Sequence, residues 1–205
     1  MKLKVCGMKY QDNIEAVVAL KPDLLGFIFY ERSSRYIPKD HHLKIPNSIL
    51  KVGVFVDAEL KEIKQRINNY ALEFIQLHGH ESPEFCSRVQ QLGVKVIKVF
   101  SILNTFDFNQ LEAFEPDCDY FLFDTKGELP GGNGIAFDWK ILESYPSNKP
   151  FFLSGGIGLD QIDNLHSFLK SEAAAHCYAI DVNSKFELEP GLKNINELKV
   201  FKSQL

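Results

Sequence analysis

Two side chains in this sequence are placed to move protons. Cys6 closes the short run "KLKVC", with Gly7 behind it, and Asp124 ends the apolar run "YFLFD". Acid–base chemistry needs one such group on each side of a substrate. A thiol titrates near about 8.5 in peptides, and lower beside positive charge or a helix end. Each residue also has a plainer reading: Cys6 as a small buried hydrophobe, Asp124 as a cap for the loop that follows. Arg35, in "RSSRY", presents either a planar fork to a carboxylate or an ordinary surface charge. Gly131–Gly134, Ser154–Gly158 and the turn Asp181–Lys185 all lie in the second half of the chain. Glycine lets backbone N–H groups approach an anion closely, or simply makes a tight turn.

Positioning these groups requires a scaffold that brings distant chain segments to one place. Eight short apolar runs recur at intervals of about 20 to 30 residues, close to the length of a strand–helix unit. They are Lys2–Cys6, Leu24–Tyr30, Val52–Val56, Phe74–Leu77, Val94–Val99, Tyr120–Phe123, Phe151–Leu153 and Cys177–Val182. Most are nearly continuous and rich in Val, Ile and Phe, as strands buried on both faces are. Segments with helical periodicity lie between them. "DNIEAVVAL" has Asp12 as a cap candidate, and "ELKEIKQRI" puts Leu60, Ile63 and Ile67 on one face. "SPEFCSRVQQL" offers Ser82 as N-cap and Pro83 as first helical residue. "NTFDFNQLEAF", "AFDWKILESY" and "LDQIDNLHSFLK" fill later gaps, and "NINELKVFKSQ" closes the chain.

This alternation predicts α/β architecture: a single (β/α)8 barrel, or TIM barrel, in preference to an open doubly wound sheet. No linker divides the chain, so residues 1–205 read as one domain. In such a barrel the strands' C-terminal ends carry the chemistry, and the ends after strands seven and eight often hold phosphate.

Composition narrows the partners. A net charge of −4 with scattered basic residues argues against nucleic acid. The apolar stretch Leu24–Tyr30 is too short to span a membrane, and no signal core opens the chain. Four cysteines without metal spacing read as free thiols of a cytoplasmic protein. Cys86, Cys118 and Cys177 are assigned to packing or surface. His78, His80 and the pair His41–His42 lack further ligands at metal spacing, so no metal is expected.

The motifs "KVCGM", "GFIFYERSSRYI", "VGVFV", "IQLHG", "FDT…GGNGIAFDW", "LSGGI" and "AIDVNSKFE…PGLK" follow one another in this order. Together they resemble the phosphoribosylanthranilate isomerases, from Lys4 to Lys193. The resemblance implies a (β/α)8 barrel and a small phosphorylated substrate. It also implies isomerisation of N-(5-phosphoribosyl)anthranilate in tryptophan biosynthesis, with no cofactor, by a monomer or homodimer. It places the general base on Cys6, the general acid on Asp124 and the carboxylate contact on Arg35. Asp181 falls near the substrate's hydroxyls. Phosphate contacts fall on Gly155, Gly156, Asn183, Ser184 and Lys185. Gly7 is then expected to leave room for the sugar beside the Cys6 sulfur, and neighbouring donors to favour a thiolate.

One departure stands out. Where the family usually reads "SSG[VI]E", this chain reads "NSKFE". Lys185 in place of glycine implies either backbone strain, if that position needs positive φ, or an added charge near the phosphate. The rival readings are another phosphosugar barrel, such as an epimerase or ring-forming synthase, and a barrel that only binds a phosphorylated metabolite. Neither would need Cys6, Asp124 and Arg35 together.

Overall fold

The computed structural model describes residues 1–39, 41, 43–125 and 136–205. Eight parallel strands close into a barrel in sequence order. They are β1 (Lys2–Val5), β2 (Leu24–Ile28), β3 (Leu50–Phe55), β4 (Phe74–Leu77), β5 (Lys95–Ile102), β6 (Tyr120–Thr125), β7 (Phe151–Leu153) and β8 (Cys177–Val182). The barrel shuts through β1 and β8, where Lys4 stands opposite Asp181. The ladder continues one residue further, with the Cys6 N–H donating to the Val182 carbonyl at 2.9 Å.

Alternate strand residues face opposite sides. Leu24, Val52, Phe74, Ile97, Leu122, Phe152 and Ala179 form one apolar cluster inside the barrel. The residues between them, such as Leu25, Phe27, Ile75, Phe121, Phe123 and Ile180, belong to a second cluster shared with the helices. Both faces are therefore buried, which is why the strands read as unbroken apolar runs.

The helices are α1 (Gln11–Ala19), α2 (Leu60–Tyr70), α3 (Pro83–Gln90), α4 (Ile162–Leu169) and α5 (Ile195–Lys202). Ser82 caps α3 as its sequence implies, accepting from the Phe85 N–H at 3.3 Å with Pro83 in the first turn. Asp12 does not cap α1; it lies within the first turn, after Tyr10. Two expected helices are 3-10 turns instead, Phe108–Phe114 and Trp139–Ser144, capped by Asp107 and Asp138. Their aromatic-rich sequences favour α-helix weakly. In the first, Phe106 and Phe108 pack edge-on against Phe123 rather than along a helix face.

The connection from β2 to β3 has no helix among its described residues. The chain doubles back beside β2, and Ile37 N–H donates to the Ile28 carbonyl at 2.9 Å. That return path carries Arg35 to the mouth of the barrel.

Candidate active site

All nine residues singled out in the sequence line one pocket at the C-terminal ends of the strands. These are Cys6, Arg35, Asp124, Gly155, Gly156, Asp181, Asn183, Ser184 and Lys185. Ile28, Val54, Val56 and Ile157 give the pocket apolar walls, and Gln76 and His78 add polar groups. The glycine run Gly131–Gly134 lies outside the described residues, as does His42.

Cys6 follows β1 directly and is buried. Gly26 on β2 makes room for it, since a Cβ there would stand 2.7 Å from the Cys6 sulfur. Burial pushes the thiol's pKa up; Lys4 and Lys193 pull it down, while Asp181 adds to the rise. Burial outweighs the two lysines, so the Cys6 thiol's pKa stands above its ordinary value. The expected surplus of favouring donors is not found, because desolvation of a thiolate outweighs two nearby ammonium groups.

Gly7 also has a different purpose from the one expected. Its φ is +75°, and a Cβ would meet Asn183 Oδ1 at 2.5 Å and Arg35 Cδ at 2.8 Å. The space beside it belongs to those two side chains, not to a sugar.

Lys4 is fully buried inside the barrel, with Nζ 2.8 Å from both Gln76 Oε1 and Asp181 Oδ2. Burial alone would drive a proton off this lysine, but the Asp181 carboxylate and Cys6 outweigh it and hold its pKa above the ordinary value. Asp181 Oδ2 is thus committed to Lys4, whereas its Oδ1 is buried without a protein partner.

Asp124 ends β6. Its Oδ1 accepts the Thr125 N–H at 2.9 Å, and its Oδ2 stands 3.4 Å from His78 Nε2. The carboxylate does accept a local backbone bond, as the cap reading required, yet its second oxygen remains at the pocket.

Arg35 reaches the pocket already gripped by Glu187. Its Nε lies 2.9 and 3.0 Å from the two carboxylate oxygens, and its Nη2 lies 2.5 Å from Oε2. Burial disfavours the Glu187 carboxylate, but Arg35 and Lys193 outweigh it and hold its pKa below the ordinary range. Lys193 is itself buried and donates to Glu187 Oε1 and to Asn183 Oδ1, both at 2.7 Å.

The opposite end of the pocket is built from two turns. Gly155 and Gly156 follow β7 with φ of +94° and +63°. A Cβ on Gly155 would lie 2.2 Å from Thr125 Oγ1, so glycine is required twice over there. Ser184–Phe186 forms a 3-10 turn after β8. Lys185 is absent from the positive-φ residues, which removes the strain reading. Its ammonium instead pairs with Asp160 Oδ2 at 3.2 Å.

Similarity to known proteins decides among the phosphosugar barrels. Residues 3–204 match the family N-(5'phosphoribosyl)anthranilate (PRA) isomerase. The chain belongs to this family. It is 43% identical to the N-(5'-phosphoribosyl)anthranilate isomerase of Parabacteroides distasonis, over 100% of this chain and 93% of the relative. Phosphoribosyl anthranilate isomerase from Thermotoga maritima superposes with a TM-score of 0.84 at 28% identity, covering 100% of this chain and 98% of that one. A further phosphoribosyl anthranilate isomerase, crystallised with reduced 1-(o-carboxyphenylamino)-1-deoxyribulose 5-phosphate, superposes at 0.81 with 27% identity over 100% and 97% of the two chains. Membership in the phosphoribosylanthranilate isomerases fits the closed barrel and the convergence of the motif residues.

Sequence reasoning missed Lys4, Gln76, His78, Glu187 and Lys193 as parts of the site. All five sit inside the quoted motifs, so their positions were visible. What they touch depends on strands and turns far away in sequence.

Proposed function

We propose that this chain converts N-(5-phosphoribosyl)anthranilate to 1-(2-carboxyphenylamino)-1-deoxyribulose 5-phosphate, with Asp124 as acid and Cys6 as base. The observation that carries the reading is the meeting of a carboxylic group, a thiol and an arginine fork in one pocket whose far end is a glycine turn. The neighbouring family structure with a reduced form of the product supports the same substrate class.

The reaction needs two proton transfers. Asp124 protonates the furanose ring oxygen, the C1–O bond breaks, and a Schiff base forms with the anthranilate nitrogen. The iminium acidifies the hydrogen on C2. Cys6 removes it, and the resulting enolamine tautomerises to the ketone. Cys6 acts here from its thiolate form, which the ammonium groups of Lys4 and Lys193 favour, and the proton taken from C2 ends on its sulfur. Asp181 Oδ1 accepts a sugar hydroxyl. The phosphate rests against Gly155, Gly156, Asn183 and Ser184, with Lys185, whose ammonium pairs with Asp160, at the edge of the same turn. Arg35 receives the anthranilate carboxylate. Two charged handles at opposite ends hold the reacting carbons between acid and base. The chemistry involves no net oxidation or reduction.

The test is turnover of freshly prepared phosphoribosylanthranilate, followed by loss of its fluorescence and coupled to the next, ring-forming step. Absence of product from folded protein at saturating substrate would reject the proposal.

A further inference from the structure

We infer that the buried Glu187–Lys193 pair is a positioning device that fixes which edge of the Arg35 guanidinium a substrate carboxylate can use. The inference rests on the reading of Arg35 as the carboxylate contact.

Arginine offers two edges for bidentate recognition: the side edge, Nε with one terminal nitrogen, and the end edge between the two terminal nitrogens. Glu187 fills the side edge, contacting both Nε and Nη2. The end edge, with Nη1 and the remaining Nη2 hydrogen, is what a ligand carboxylate meets. Glu187 cannot swing away to release the other edge, because its Oε1 also accepts from Lys193 Nζ at 2.7 Å and from the Gly191 N–H at 3.1 Å. Lys193 is anchored through its backbone: its N–H donates to Asn13 Oδ1 at 2.8 Å and its carbonyl accepts from Asn13 Nδ2 at 3.0 Å. The arginine is thus tied, through one carboxylate, to helix α1 and to the hairpin β9 (Glu187–Glu189) with β10 (Leu192–Lys193).

The same lysine reaches the other end of the pocket. Its Nζ donates to the Asn183 carboxamide oxygen at 2.7 Å and to the Asn183 carbonyl at 3.2 Å. Gly7 admits both Asn183 and the Arg35 stem, which a Cβ would displace. Arg35 follows β2 and Asn183 follows β8, yet one ion pair sets both. Two cations and one anion leave this cluster with one positive charge to be matched by the ligand. The device therefore confers orientation and a preference for a ring carboxylate, beyond general attraction to anions.

The experiment compares inhibition by reduced 1-(2-carboxyphenylamino)-1-deoxyribulose 5-phosphate with inhibition by the analogue carrying an unsubstituted phenyl ring. Wild type should prefer the carboxylated compound. Glu187→Gln should lower that preference about tenfold, as loss of a charge-assisted contact does, and raise KM more than it lowers kcat. The double variant Glu187→Gln/Lys193→Met, in which neither buried charge is left without its partner, should show the same loss of preference. A variant that merely loosened the fold would weaken both analogues equally, and that result would overturn the inference. So would an unchanged preference in Glu187→Gln together with its abolition in Arg35→Met, which would leave the arginine reading standing alone. An unchanged preference in Arg35→Met would overturn the arginine reading and the positioning role with it.

Discussion

His78 Nε2 stands 3.4 Å from Asp124 Oδ2, and Gln76 decides that this nitrogen carries the hydrogen. Lys4 occupies the Gln76 carboxamide oxygen at 2.8 Å, so the amide nitrogen faces His78 Nδ1 at 3.2 Å and donates to it. Nε2 makes no hydrogen bond among the described residues, so its N–H is available to Asp124 Oδ2. His78→Phe should lower kcat by about 10- to 100-fold, the worth of one hydrogen bond to a charged group. KM should move less. Steady-state kinetics showing an unaltered kcat would remove His78 from the acid's surroundings.

Cys6→Ala and Asp124→Asn should each reduce kcat by at least about 100-fold, as loss of a positioned base or acid does. Binding of a product analogue should survive in both. If the alanine variant kept more than about a tenth of wild-type turnover, Cys6 would not be the base.

Without added ligand, alkylation of Cys6 should be slow at neutral pH and accelerate through and beyond the ordinary thiol range, because burial raises its pKa. A product analogue bearing phosphate and carboxylate should protect it. Lys4 pulls the thiol down, so Lys4→Met/Asp181→Asn should react more slowly than Asp181→Asn alone at the same pH. Peptide mapping after limited iodoacetamide treatment provides the rates; equal rates in the two variants would contradict the lysine's influence.

The Glu187 ion pairs should leave a signature in acid. The pKa of Glu187 is depressed in the folded protein. Its contribution to stability is therefore complete above its unfolded value, about 4.3, and is lost as pH falls through the lower folded value. The stability gap between wild type and Glu187→Gln, measured by urea denaturation, should be widest above about pH 5 and close below it. A gap that stayed constant down to acid pH would mean the pair contributes nothing through its charge.

Gly155→Ala and Gly93→Ala form a matched pair, because both glycines have positive φ, +94° and +81°. A Cβ at Gly93 meets nothing within 4 Å, whereas at Gly155 it meets Thr125 Oγ1 at 2.2 Å and its backbone nitrogen at 2.6 Å. Gly93→Ala should cost about 1–2 kcal/mol from backbone conformation alone. Gly155→Ala should cost about 1–3 kcal/mol more for the clash, and should also weaken inhibition by inorganic phosphate. Equal denaturation midpoints would show that the β7 turn relaxes freely.

The barrel was legible because its determinants are local. Strands buried on both faces must be apolar throughout, and each unit repeats that need, so eight runs such as "YFLF" and "FFL" announced themselves. Residues at strand ends share one mouth by topology, which is why Cys6, Asp124 and Asp181 could be placed together before any distance was known. The 3-10 turns at Phe108–Phe114 and Trp139–Ser144 were not legible. Their form follows from aromatic packing between layers, which overrides a helical pattern in the chain. Nor could the sequence reveal what Lys4, Glu187 and Lys193 do. A buried charge is defined by its partner, and these partners lie 177 residues away for Lys4 and Asp181, and 152 for Glu187 and Arg35. Strand order and the motifs at strand ends determined that Cys6, Asp124, Asp181 and the turns after β7 and β8 gather at the mouth. Closure of the barrel through β1 and β8 decided which of them neutralise, orient or crowd one another, because only closure brings the two ends of the chain within hydrogen-bonding distance.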